Sequence, residues 1–277
     1  MINALSVDLE DWYQGIIEID RSDWHKCEDR IVQNTERLLS IFDTYDAKAT
    51  FFVLGAVAEK FPGLIKSIYE SGHEIAAHGY CHEVIYRQTK EEFKADILKT
   101  KRILEQIIPT KIEGYRAPFF SVTKDTLWAL EMLEELDFKY DSSIFPTKNP
   151  YYGIPDARRF IYKPTGGGLV EFPLSTLRIF GFNIPVAGGF YLRCFPARFI
   201  CKAVSWLNEK GNPAVFYFHP WEIDPDRPKV KLSLKGKLIW DYNIEKMEDK
   251  LRTILKNFDF ACIKDVLASY FKKIDKK

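Results

Sequence analysis

Ser6-Val-Asp-Leu-Glu-Asp-Trp12 decides how this chain is read. It overlaps the end of an apolar run, residues 2–7, that reads as a short strand. Three carboxylates, Asp8, Glu10 and Asp11, crowd the C-terminal end of that strand, where their mutual repulsion costs folding free energy. Successive strand residues face opposite ways. Asp8 and Glu10 therefore share a side if the strand continues that far, and Asp11 points away. The plain alternative is an acidic loop that caps a helix.

Outward from this stretch, strand and helix patterns alternate. Residues 49–53, 73–77, 112–115, 214–218 and 258–262 read as strands. Residues 31–45, 56–71 (broken at Pro62), 90–108, 123–136, 197–210, 245–256 and 264–272 read as helices. In 90–108, Phe93, Ile97, Leu104 and Ile108 share one face. Thr123 is the expected N-cap of 123–136. Such alternation predicts an α/β fold built on a parallel sheet. The expectation is one domain over residues 1–277, a distorted or incomplete (β/α) barrel of about seven or eight strands. Between about residues 146 and 196 the chain turns rich in Pro, Gly and aromatics, and this reads as an elaborated loop insertion with a few strands, 169–172 among them.

Three more groups sit at predicted strand ends. His78-Gly-Tyr-Cys-His82 places two of only five histidines four residues apart. Imidazoles at i and i+4 face one way in a helix and can share one metal. Tyr217-Phe-His219-Pro-Trp-Glu222 ends the most apolar strand, a position suited to an acid or base. Arg116, in Gly114-Tyr-Arg-Ala-Pro-Phe119, would orient a neighbouring carboxylate and depress its pKa. Barrels of this class keep their active sites at the C-terminal ends of the strands, where all four groups fall.

In order and kind, these motifs make the chain similar to the polysaccharide deacetylase superfamily, carbohydrate esterase family four with its NodB-homology domain, over nearly its whole length. Thr50-Phe-Phe-Val-Leu-Gly55 and Gly72-His-Glu-Ile-Ala-Ala-His78 resemble the family's second strand and the approach to its metal. His78 and His82 match the H-x-x-x-H pair, Arg116-Ala-Pro-Phe119 the R-x-P-[YF] motif, and His219 the late histidine. Ser6–Trp12, residues 114–120 and Phe218-His-Pro-Trp-Glu222 resemble more narrowly a cytoplasmic branch found with exopolysaccharide biosynthesis. The resemblance implies metal-dependent removal of an N-acetyl group from an amino sugar. Asp8 would be the base, oriented by Arg116. One divalent metal ion would be bound by His78, His82 and a carboxylate, which must be Glu10 or Asp11. Glu10 is favoured because it shares Asp8's side and because some branches use D-x-[DE]. Zinc suits such a set best. The backbone N–H of Phe119 would help hold the oxyanion and His219 would protonate the departing amine. Asp141 in Tyr140-Asp-Ser-Ser143 matches only part of the motif expected to supply a partner for His219. Two other readings share this sequence: a cyclic imide or ureide hydrolase on the same barrel, and a non-catalytic glycan-binding module.

Composition narrows the remaining classes. Lys+Arg 40 against Asp+Glu 39 gives a net charge of +1, so no nucleic-acid footprint is expected. Asp8, Glu10 and Asp11 stand where the apolar core of a signal peptide would lie, and the expectation is a cytoplasmic protein beginning at Met1. Five cysteines, an odd number with no C-x-x-C pair, agree with a reducing compartment. Two basic clusters, Lys229/Lys231/Lys235/Lys237 and Lys272/Lys273/Lys276/Lys277, read either as solvated surface or as a peripheral contact with anionic lipid at the inner membrane face. Tyr151, Tyr152, Phe182, Phe190 and Tyr191 in the insertion favour an N-acetylated sugar or glycan precursor as partner.

Overall fold

The first strand shows how the sheet is built. In the computed structural model, which describes residues 1–16, 19–149 and 151–274, β1 spans Asn3–Leu9. Leu5, Val7 and Leu9 join the core shared with the helices, while Ala4 joins the cluster inside the sheet's curl. Fully burying each of the three larger side chains contributes about 1.5–3 kcal/mol. The alternation puts Ser6 and Asp8 on the inner side with Ala4. The strand runs two residues further than the sequence reading, and so carries Asp8 within it.

Seven more strands complete the parallel sheet: β2 (Thr50–Val53), β3 (Glu74–Ala77), β4 (Gly114–Tyr115), β5 (Tyr140–Asp141), β6 (Val170–Glu171), β9 (Val215–Phe218) and β10 (Phe260–Ala261). The strands β7 (Thr176–Ile179) and β8 (Phe182–Pro185) form a separate antiparallel hairpin. From β1 the sheet runs in order through β2, β3, β4, β5 and β6. On its other edge, β1 pairs β9 through Ala4–Val7. Asn3 and Ala4 pair β10, which therefore lies on the same edge as β2, below it. The curl stays open between β6 and β9. There Ser175 Oγ accepts from Val215 N at 2.8 Å, and Gly188 forms a single bridge to Tyr217. The expected distorted, incomplete barrel is what forms.

Helices pack outside. Pro62 starts the helix Pro62–Glu70 and separates it from Gly55–Lys60. Thr89 and Glu92 form a capping box at the start of Lys90–Ile107, whose Phe93, Ile97 and Leu104 are buried. Thr123 caps as expected, but onto a short 3₁₀ turn, Lys124–Thr126, ahead of the helix Trp128–Glu135. The insertion supplies β6 to the sheet, then the hairpin, then a short helix, Gly189–Cys194. Lys276 and Lys277 lie outside the described residues.

Candidate active site

The C-terminal ends of β1, β3, β4 and β9 deliver the four groups into one buried cluster. β1 ends at Leu9, and a tight turn follows in which Glu10 N donates to Asp8 O at 3.0 Å. Asp8 and Glu10 enter the cluster together. Asp11 turns away: its carboxylate accepts from the backbone N–H groups of Trp12 (2.8 Å), Arg30 (2.8 Å) and Ile31 (3.0 Å). It thereby satisfies free donors at the start of the helix Ile31–Thr44. Burial raises its pKa to about 6 against the pull of those bonds.

Arg116 is fully buried and directs its donors inward. Nη1 donates to Asp8 Oδ1 at 2.7 Å and to Ser6 Oγ at 2.8 Å. Nε and Nη2 bond the carbonyl and hydroxyl of Ser142 at 2.9 and 3.0 Å. The guanidinium also stacks over Phe52, 4.0 Å from its centroid. Stripping one partner from such a buried pair leaves an uncompensated charge, at a cost of roughly 3–5 kcal/mol.

His78 and His82 converge on Glu10, but not along a helix. The segment between them is a loop in which Gly79 (φ +74°) and His82 (φ +56°) adopt the left-handed conformation. The expectation of facing imidazoles on a helical turn is corrected to this reversal of the chain. Tyr80 N donates to Asp96 Oδ2 at 2.9 Å and anchors it. His78 Nδ1 lies 2.8 Å from the Arg116 carbonyl, which can only accept, so that nitrogen carries the proton and Nε2 is left with its lone pair. Burial lowers the His78 pKa to about 4, keeping the ring neutral.

Glu10 Oε2 stands 2.8 Å from His82 Nε2, yet it is a buried oxygen without a hydrogen-bond partner. Burial pushes the Glu10 carboxyl up, but His82, His219 and His78 outweigh it and hold its pKa at about 2. Donor atoms of Glu10, His78 and His82 all lie within 4.8 Å of one another. A buried, ionised carboxylate with an unpartnered oxygen, facing two imidazoles, fits a divalent cation.

His219 closes the cluster from β9. Its Nε2 is 3.1 Å from Glu10 Oε1 and 3.9 Å from Asp8 Oδ2. Its ring stacks on Trp221 at 5.1 Å. Its Nδ1 meets Glu222 Oε2 at 3.0 Å, and Arg193 Nε donates to the other Glu222 oxygen at 2.9 Å. Burial would lower the His219 pKa, but Glu10, Glu222 and Asp8 raise it to about 9. Glu222 is thus the partner of His219. Asp141 is not; it lies buried on β5 opposite Glu171 of β6. Burial, and then the charge of Asp141, push the Glu171 pKa well up.

Phe119 and its neighbour Phe120 both sit at positive φ, +51° and +52°. Such backbone costs on the order of 1–3 kcal/mol per residue and recurs where chemistry dictates the path of the chain. Here it brings the Phe119 ring within 4.5 Å of His82. Among the described residues no acceptor takes the Phe119 N–H. Beside the cluster opens a cleft of about 680 Å³. His82 and Phe119 line its floor, Trp24 and Tyr86 one part of its wall, and Tyr151, Tyr152 and Trp240 another. Of the insertion aromatics, Phe182, Phe190 and Tyr191 do not line it: Phe182 stands 72% exposed on the hairpin, and Tyr191 lies behind Tyr152, their hydroxyls 3.1 Å apart.

Residues 23–139 match the family model described as Polysaccharide deacetylase, and residues 142–268 match a Domain of unknown function (DUF3473). A Peptidoglycan-N-acetylglucosamine deacetylase of Bacillus cereus is 35% identical over 98 residues, covering 35% of this chain and 36% of that protein. A Peptidoglycan deacetylase of Helicobacter pylori is 34% identical over 117 residues, 42% of this chain and 39% of that protein. The chain thus spans little more than a third of the length of these relatives. Among solved structures, a Mycobacterium smegmatis protein placed with the polysaccharide deacetylases aligns at a TM-score of 0.60 and 20% identity, over 98% of this chain and 91% of that one, which shows the shared fold.

Proposed function

We propose that this chain, whose residues 23–139 match the polysaccharide deacetylase family model, hydrolyses the N-acetyl group of an amino sugar in a glycan or glycan precursor. The observation that carries the reading is the meeting of two differently equipped carboxylates: Asp8 bonded to Arg116, and Glu10 facing two imidazoles with an unpartnered oxygen.

A divalent cation held by Glu10, His78 and His82 would supply Lewis acidity to the amide carbonyl and lower the pKa of the attacking water, and zinc suits that donor set best. Asp8 acts as base: Arg116 occupies Oδ1 and leaves Oδ2 to take the water's proton. The free N–H of Phe119 donates to the carbonyl oxygen as negative charge grows there. His219, with Glu222 holding Nδ1, presents Nε2–H to the departing amine, which cannot leave as a bare anion. Asp11, Asp141 and Glu171 hold the supporting structure in place. Tyr151, Tyr152 and Trp240 in the cleft wall offer faces on which sugar rings stack.

We infer further that the chain belongs to the exopolysaccharide-associated branch and meets its substrate in the cytoplasm at the inner face of the membrane. The Ser6–Trp12 and Phe218–Glu222 motifs and the basic stretch at residues 229–237 support this. Among the described residues no helix is long and apolar enough to cross a membrane. The test is acetate release from N-acetylated amino-sugar oligosaccharides, free and carrier-linked, before and after chelation and zinc return. Release that is insensitive to chelation, or none with any acetylated sugar, contradicts the proposal.

A further inference from the structure

The stretch from Arg227 to Trp240 carries five basic residues, Arg227, Lys229, Lys231, Lys235 and Lys237, and no acidic one. Its second half begins the helix Leu234–Asp241, which forms a lip of the cleft. Leu232, Ser233, Gly236, Ile239 and Trp240 look into the cleft. Leu234 and Leu238, one helical turn apart, take no part in that lining and stand 92% and 59% exposed. Lys229, Lys231 and Lys237 are exposed beside them and pair with no carboxylate among the described residues. Arg227 differs: it is buried and bonds Asp241 and the Trp240 carbonyl, fixing the helix to the body.

We propose that this lip docks on an anionic membrane surface, with Leu234 and Leu238 entering the interface and the three exposed lysines meeting lipid phosphates. Charge selects the occupant. A second copy of the chain would set like lysines against one another, whereas an anionic leaflet satisfies leucines and lysines together. The inference rests on the reading of the cleft as the entrance for a glycan precursor and deepens it: docked by its lip, the cleft opens at the bilayer face, which suits a precursor carried on a lipid.

The test is sedimentation of the full chain with phosphatidylcholine vesicles, with and without phosphatidylglycerol. Binding is expected only to the anionic vesicles and should weaken as salt rises. Each lysine near such a surface contributes roughly a fivefold gain, so the triple variant Lys229→Glu/Lys231→Glu/Lys237→Glu should bind at least roughly a hundredfold less tightly. Leu234→Asp/Leu238→Asp should lose binding at every salt concentration. Both variants should keep the wild-type melting temperature and acetate release from a short soluble N-acetylated oligosaccharide. Equal sedimentation with neutral and anionic vesicles, or none with either, overturns the proposal. So does a wild-type dimer in light scattering that Leu234→Asp dissociates. A protein that binds anionic vesicles but releases no acetate supports the docking and counts against the deacetylase reading alone.

Discussion

Asp8 and Glu10 stand two residues apart in one cluster and differ only in what each is bonded to. That difference predicts opposite consequences for similar substitutions. Asp8→Asn should keep full metal content and lose turnover by roughly 10²–10⁴-fold, the scale of losing a general base. Glu10→Gln should lose metal, measured by elemental analysis of the purified protein. Asp11→Asn should retain both metal and rate but melt earlier, by about 1 kcal/mol, because it weakens the bonds that start Ile31–Thr44. Metal loss in Asp11→Asn with retention in Glu10→Gln would reverse the assignment. Glu222→Gln should keep the metal and lower turnover roughly 10–100-fold, as is usual for a residue that orients another. Unchanged turnover would show that His219 needs no such partner. The pairing of Asp8 with Glu10 was read from strand alternation, but the strand stops at Leu9 and a tight turn, not alternation, brings Glu10 to the side of Asp8. Glu222 was visible in the quoted motif but not as a partner. Its role depends on the short turn after β9, and on Arg193, which lies 29 residues away in sequence.

Elements with one clean periodicity were read within a residue or two, and these include the outer helices and strands β1–β3. Strands β4, β5 and β6 are two residues each; β4 and β6 fall inside the stretches read as strands, 112–115 and 169–172, while β5 was too short to carry a pattern and was missed. They persist because the flanking backbone extends the ladder, as where Arg116 N donates to Ala77 O and Ser142 N to Tyr115 O, both at 3.0 Å. The β7–β8 hairpin was hidden because its residues are only partly buried and show no inside–outside alternation. The loop carrying the histidines is the element on which the site most depends. At Gly79 an added Cβ would adopt a left-handed φ of +74° and lie 3.1 Å from Asp96 Oδ2, the anchor of the loop. Gly79→Ala should therefore weaken metal binding and lower stability by more than about 1 kcal/mol, measured together by metal titration and thermal melting. An unchanged metal affinity would mean that the loop adapts without moving His82.

Across the whole molecule, the C-terminal ends of the strands gather the candidate site and the opposite ends hold the chain closed. Glu74, at the start of β3, is buried there and bonded to Thr50 Oγ1 at 2.5 Å, and Lys264 N, at the start of the helix Ile263–Ile274, donates to the same carboxyl at 3.3 Å. Burial raises its pKa from 4.5 to about 7. A raised folded-state pKa means that the neutral acid stabilises the fold fully below about pH 4.5, and that this contribution is lost as pH rises through 7. Glu74→Gln should thus gain stability relative to the wild type between pH 5 and pH 9, read as the difference in Tm at each pH. A constant difference would show that Glu74 does not titrate in this range. Sheet order has a further consequence, for the moment of birth. β1 is made before the other strands, yet one of its edges belongs to β9 and part of the other to β10, more than 200 residues later. At roughly 5–20 residues per second, the ribosome leaves β1 waiting for roughly ten seconds or more. For that interval its apolar residues are an open template for the wrong partner, and a chaperone that grips this nascent stretch would guard both the strand and the two carboxylates it delivers.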